Sequence, residues 1–127
     1  GIYAAERGAL RARLAKGTPV LRAQDDVYTN HIHADDLART CMMALWRAKA
    51  QRCYHVSDQS QFKIGDWLDL MADYHGLPRP PRITRQQAEA QLPPMHMSFM
   101  KESRRLETKR LQNELRVQLK YPFAEPL

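Results

Sequence analysis

The chain has 127 residues, 43% hydrophobic and 27% charged, with a formal net charge of +6. That length suits one modest domain and is too short for two full ones. The composition is that of an ordinary globular chain, and no apolar run approaches the ~20 residues of a membrane-spanning helix.

The N-terminal GIYAAERGALRARL carries charges where a secretion signal needs its apolar core. Cys41 and Cys53 form no C-x-x-C pair, which suits a reduced compartment better than a disulfide scaffold. A cytoplasmic protein is the expectation.

In chain order, Gly1, Ile2 and Tyr3 read as the end of a strand. Residues 5–16 place Ala9, Leu10 and Leu14 near helical spacing, and Gly17 is a C-terminal stop. TPVLRA and VYTNHIH, separated by QDD, form a hairpin or a bent extended stretch. Residues 36–49 give the strongest helix pattern: Leu37, Cys41, Ala44, Leu45 and Ala48 fall on one stripe, expected to face inward. Asp35 or Asp36 is its N-cap and complements the helix dipole.

RCYHVS then reads as a short buried strand and DQSQFK as a turn. Residues 65–75 predict a helix with Trp67, Leu68, Met71 and Tyr74 or His75 inward, ended by Gly76 and Pro78. LPRPPRI is extended. Thr84 and Gln87 fit a capping box before QAEAQL, and Pro93 and Pro94 break that segment. Residues 95–103 predict a short helix with Met95, Phe99 and Met100 on its apolar face. ETKRLQNEL predicts another with Leu111 and Leu115 inward, and YPFAEPL is extended. Strands alternating with helices indicate an α/β chain, but with too few strands for a complete doubly wound sheet.

Much of the positive charge lies in residues 101–121, where Glu102, Glu107 and Glu114 are interleaved with the cations. Interleaving favours a solvated face laced with ion pairs over a nucleic-acid patch. His31 and His33 share one strand face and, with Asp35 or Asp36, raise a metal site. No third histidine stands at a familiar spacing, and a strand feeding a capped helix explains the same residues. Ser57 and Ser98 lack a G-x-S-x-G elbow, and Cys41 on a buried stripe would be inert. None of the five glycines forms a phosphate cradle. A helix–turn–helix over 84–115 lacks enough apolar core positions.

Four segments together resemble the C-terminal half of an extended short-chain dehydrogenase/reductase, of the NAD-dependent epimerase/dehydratase family. GIY at 1–3 resembles the strand before the family's GxYGPG-type turn, and NHIHADDLA at 30–38 its "hVdDlA" strand-to-helix junction. CYHVSD at 53–58 resembles its "YNvsd" strand, and ETKRLQNELRVQLKYPFAEPL its closing "sN.rl..eLGw...yps..eGL". The resemblance implies the last strands of a Rossmann-like doubly wound sheet over 1–77 and a small, mainly helical substrate-side subdomain over 78–127. The glycine-rich cofactor loop and the catalytic Tyr-x-x-x-Lys would belong to a missing N-terminal half; no Tyr-x-x-x-Lys occurs here.

The resemblance further implies NAD or NADP in the intact enzyme, no cofactor on this chain alone, and a small-molecule substrate such as a sugar or sugar nucleotide. Substrate contacts map to Tyr3 and Arg7, to Thr29, Asn30 and His31, and to Arg104 or Arg105. Asparagine or histidine suits a hydroxyl, and arginine suits a phosphate. No catalytic, cofactor or metal residue is assigned to this chain. Partners implied are the missing half or a second copy, with neither nucleic acid nor membrane.

Departures from the family pattern are Ala4–Ala5 for the Gly-Pro of the turn, Arg116 for the glycine of "eLGw", Pro126 for that of "eGL", and Thr29 for a phosphate-binding arginine. A left-handed residue at Arg116 would be strained. The other readings are a non-catalytic α/β interaction module and a small basic nucleic-acid binder.

Overall fold

A computed structural model describes residues 1–4 and 9–124. The elements are β1 (Ile2–Tyr3), α1 (Ala9–Ala15), β2 (Val20–Leu21), β3 (Ile32–His33), α2 (Ala34–Arg47), α3 (Ile64–His75), β4 (Arg82–Ile83), α4 (Arg85–Gln91), α5 (Pro94–Met100) and α6 (Lys109–Asn113). The chain is mixed α/β, with short parallel strands and several helices.

Most helix ends follow local chemistry. Gly17 follows α1 at φ 68°, and Gly76 ends α3 at φ 65°, donating to the Ala72 and Asp73 carbonyls. A residue with a Cβ is disfavoured in that left-handed geometry. Thr84 and Gln87 form the expected capping box of α4. The start of α3 has no cap from its own N-cap residue; Asp26 reaches across and accepts from Gly65 N at 2.8 Å.

The strands pair differently from the expected hairpin. β1 pairs parallel with β3 in the register Ile2↔Ile32 and Tyr3↔His33. β2 pairs parallel with β4, Val20↔Arg82 and Leu21↔Ile83. Residues 18–33 are therefore the bent extended alternative, passing from one sheet to the other. The bend is held by the Arg22–Asp25 ion pair at 2.7 Å and by Arg85, which donates to the Asp25 carbonyl at 2.9 Å.

The expected strand at 52–57 is not a strand. Arg52, Cys53 and His55 are exposed, and just past its end Asp58 N donates at 2.7 Å to the carbonyl of His31, the residue before β3. One bond at one end is not a ladder.

Three apolar clusters hold the chain. Leu14, Val20, Trp67, Leu68, Met71, Ala72 and Ala124 form one around α3. Leu21, Ala88, Leu92, Met97 and Met100 form the second. Leu111, Leu115 and Val117 form the third, against Met43, Ala44, Tyr54 and Val56.

Two helix faces differ from expectation. In α2, Asp36 and Thr40 are buried, whereas Cys41 and Leu45 are exposed. Its cap is His33, whose side chain accepts from Asp35 N, rather than Asp35 or Asp36. In α5, Met97 and Met100 are buried, while Met95 and Phe99 are exposed. Tyr74 is exposed too. Periodicity identifies an apolar stripe but does not say which stripe the same chain covers.

Candidate functional site

The expected substrate-side residues gather where β1 and β3 meet the tail. Tyr3 and His33 are register partners, and their rings meet edge to face at 5.2 Å. His33 stacks on Tyr121 at 3.8 Å. Tyr3 and His31 both reach Trp67, at 5.9 and 4.5 Å between centroids, and Phe62 closes on the same indole at 5.7 Å. The result is a continuous run of rings with few polar atoms. Because His33 Nδ1 accepts from Asp35 N, at 3.1 Å, the neutral ring carries its proton on Nε2.

His31 is buried, and among the described residues its Nδ1 has no hydrogen-bond partner. Burial pushes its pKa down to about 4, because a charged imidazolium loses its hydration there. It is therefore neutral across the physiological range. Asp58, which follows the His31 contact, has its carboxyl raised, again chiefly by burial.

Asn30 ties the tail to this region. Its Nδ2 donates to Arg104 O at 2.8 Å, and its Oδ1 accepts from Leu106 N at 3.0 Å. Tyr28 N donates to Ser103 Oγ at 3.0 Å. The amide of Asn30 thus holds backbone and keeps one N–H and one lone pair for a ligand. Thr29 contributes its backbone N–H to Phe62 O.

The two arginines of the tail stand at the exposed rim. Arg104 pairs with Glu102 at 2.5 Å. Arg105 lies over the Tyr28 ring at 5.1 Å and donates to Gln61 at 3.4 Å. Lys63 approaches the same ring at 5.6 Å. Tyr3 and His31 meet through Trp67 and Asn30 meets the Arg104 backbone, whereas the Arg104 and Arg105 guanidiniums turn to Glu102 and to Tyr28 and Gln61; Arg7 lies outside the described residues. Tyr28, Gln61, Lys63 and Ser103 were not foreseen. Tyr28 directly precedes the expected Thr29–His31 stretch, which is the only sequence signal for it.

Asp36 locks the other side of the tail. It is fully buried and accepts from Lys120 N at 2.9 Å, Tyr121 N at 2.8 Å and Arg39 at 2.7 Å. These contacts occupy its oxygens, which leaves it unsuited to metal ligation. Among the described residues no group of three or more histidine, cysteine or acidic side chains has metal-binding proximity.

Ser57 donates to His31 O at 3.3 Å and Ser60 to Asp58, so both hydroxyls serve the loop. A separate open groove of about 430 Å³ lies along Gln59, Leu111, Arg116, Gln118 and Pro122; nothing in the sequence marked it.

The three tail glutamates all hold cations, Glu114 chiefly from outside the tail. Lys109 meets Glu107 at 2.7 Å, and Arg52 and Lys49 meet Glu114 at 2.7 and 3.4 Å. Among the described residues no helix is long and apolar enough to cross a membrane. The arrangement is a largely buried set of rings around Trp67, with the Asn30 amide and the Arg104 and Arg105 guanidiniums on the adjoining tail.

No protein-family model matches the chain. No curated protein matches it. A solved structure of a conserved protein of unknown function from Silicibacter pomeroyi is similar, with a TM-score of 0.78 and 31% identity over 96% of this chain. The chain spans 42% of that protein's length, so its likeness is to part of a longer polypeptide.

Proposed function

We propose that this chain is the C-terminal, substrate-side part of an NAD(P)-dependent oxidoreductase or epimerase of the epimerase/dehydratase family. The observation that carries the reading is Arg116. It has φ 54°, a left-handed conformation, at the position where the family's closing motif has glycine. A non-glycine residue in that region is uncommon, so its backbone supports the alignment independently of side-chain likeness. The parallel pairs β1–β3 and β2–β4 are compatible with the margin of a larger doubly wound sheet. The match to part of a longer solved chain of unknown function supports only that this chain corresponds to part of a longer protein.

Among the described residues Gly17 and Gly76 serve helix ends, and Gly65 is buried within α3 against Asp26. Nicotinamide would carry the hydride in the intact enzyme, and it would be held elsewhere. This chain would close the pocket: Tyr3 and His31 as its aromatic wall, Asn30 toward a hydroxyl, Arg104 and Arg105 toward an anionic group. The substrate class in view is a sugar or a related polar small molecule.

Two measurements test this. The coding sequence before Gly1 should contain a Gly-x-x-Gly-x-x-Gly and a Tyr-x-x-x-Lys; an in-frame stop there overturns the proposal. Titration of the 127-residue chain with NADH and NADPH should give no saturable fluorescence change. Tight binding by this chain alone would show that the cofactor assignment to the other half is wrong.

A further inference from the structure

The apolar stripe expected over residues 36–49 is split: Ala44 packs inward, whereas Cys41 and Leu45 join Met42 and Trp46 on a face left exposed among the described residues. On α2, Leu45 is 81% exposed, Trp46 84% and Met42 60%, with Cys41 exposed beside them. The other side of the helix is already filled, by Met43 and Ala44 against Leu111, Leu115 and Val117. A contiguous exposed patch that includes tryptophan, leucine and methionine marks an interaction surface, unlike scattered single apolar residues.

The occupant has to be apolar. The cations next to the stripe are turned to the tail: Arg39 to Asp36 and Gln118 O, Arg47 to Leu115 O. Lys49 pairs with Glu114. No unpaired cation is left on the stripe to attract phosphate or an anionic lipid surface.

Two observations say what covers it. β3 runs directly into α2 and, among the described residues, belongs to a sheet of two parallel strands. Parallel sheets have both faces covered, normally by their own polypeptide. The similar Silicibacter pomeroyi protein extends far beyond the matched region, of which this chain spans 42% of the length. We propose that the Met42–Leu45–Trp46 face of α2 is the docking surface for the remaining region of the intact polypeptide, which places an apolar patch against it. This rests on the reading above that the chain is part of a longer protein, but not on the activity assigned there.

The two cysteines allow a direct test. Cys41 lies on the face and Cys53 outside it, and both are exposed. Alkylation by iodoacetamide, mapped by mass spectrometry, is followed in the isolated chain and in the intact polypeptide. Cys41 should react roughly tenfold or more slowly in the intact polypeptide, with local opening limiting access. Leu45→Lys with Trp46→Lys should restore its rate.

An unchanged wild-type Cys41 rate overturns the proposal. So does protection already present in the isolated chain that rises with dimer content by light scattering, which assigns the face to a second copy. Absence of any coding sequence beyond this chain overturns it together with the proposed function. An intact protein that binds NADPH but labels freely at Cys41 overturns the docking alone; protection of Cys41 without NADH or NADPH binding overturns the oxidoreductase reading alone.

Discussion

A carboxylate without exposed surface needs donors to replace its lost hydration. Asp36 has three, two of them backbone N–H groups of the tail at Lys120 and Tyr121. Asp36→Ala would leave those N–H groups without their acceptor. We expect a loss of about 2–4 kcal/mol in urea unfolding, with Asp36→Asn retaining part of it. A change below the error of the method would mean that the tail is held by its apolar contacts alone. His31 acts through the opposite logic, since its burial disfavours charge. Its pKa falls from 6.5 to about 4, so between those values the unfolded chain binds a proton that the folded chain does not. Stability from this group is complete above the upper value and is lost as pH falls through the window. The full loss is about 3 kcal/mol. Asp26 and Asp58, whose carboxyls are raised chiefly by burial, act in the other direction. The difference between the wild type and a variant at His31 therefore isolates the imidazole across the window. His31→Gln should flatten the stability profile there, and an unchanged slope would mean that the imidazole is hydrated in the folded state.

At the level of elements, Arg116 holds a conformation suited to glycine. Its side chain is exposed, and its carbonyl accepts only a long bond from Arg47 at 3.5 Å. Arg116→Gly should therefore relieve strain without removing packing, raising stability by about 0.5–1 kcal/mol in urea unfolding. A decrease would show that the arginine side chain contributes more than its backbone costs. Gly65 is the converse. A Cβ there would meet Asp26 Oδ2 at 2.8 Å and the Arg82 guanidinium at 3.0 Å. Gly65→Ala should cost about 1–3 kcal/mol, because the same Asp26 oxygen caps α3 and cannot withdraw freely. Helix ends such as Gly17, Gly76 and Thr84–Gln87 were legible in the sequence because the determinants are local. Strand partners were not: β2 and β4 are two residues each and 62 positions apart, with nothing in either to name the other. The outward face of α2 was hidden for a related reason. Its stripe encodes burial, and the covering surface is not among the described residues. In the candidate site, Tyr3, Asn30, His31, Arg104 and Arg105 were legible through the family-like junction and tail. The Asn30 link to Arg104 and Leu106 was not, because it joins distant backbone segments.

For the whole molecule, a net charge of +6 invites a nucleic-acid reading, and geometry decides how much of that charge is available. The tail that carries much of the excess pairs Arg104 with Glu102, Lys109 with Glu107, and Arg52, Lys49 and, at 4.0 Å, Arg110 with Glu114. Two further arginines, Arg79 and Arg82, converge on Asp69 and Asp73 beside α3. Such exposed pairs add little to stability, but they lower the field that a phosphate backbone would meet. A DNA-binding surface would need several cations in line with the phosphates, each releasing a counterion and steepening the salt dependence. These cations are instead distributed around Glu102, Glu107, Glu114, Asp69 and Asp73. The chain should therefore bind duplex DNA only weakly, with an affinity whose logarithm falls with salt by a slope corresponding to about one or two phosphates. Fluorescence anisotropy across a salt series measures both quantities. Tight binding with a slope of about six or more would mean that the ion pairs open on contact with DNA and that the basic tail, rather than the set of rings at β1–β3, is the functional surface.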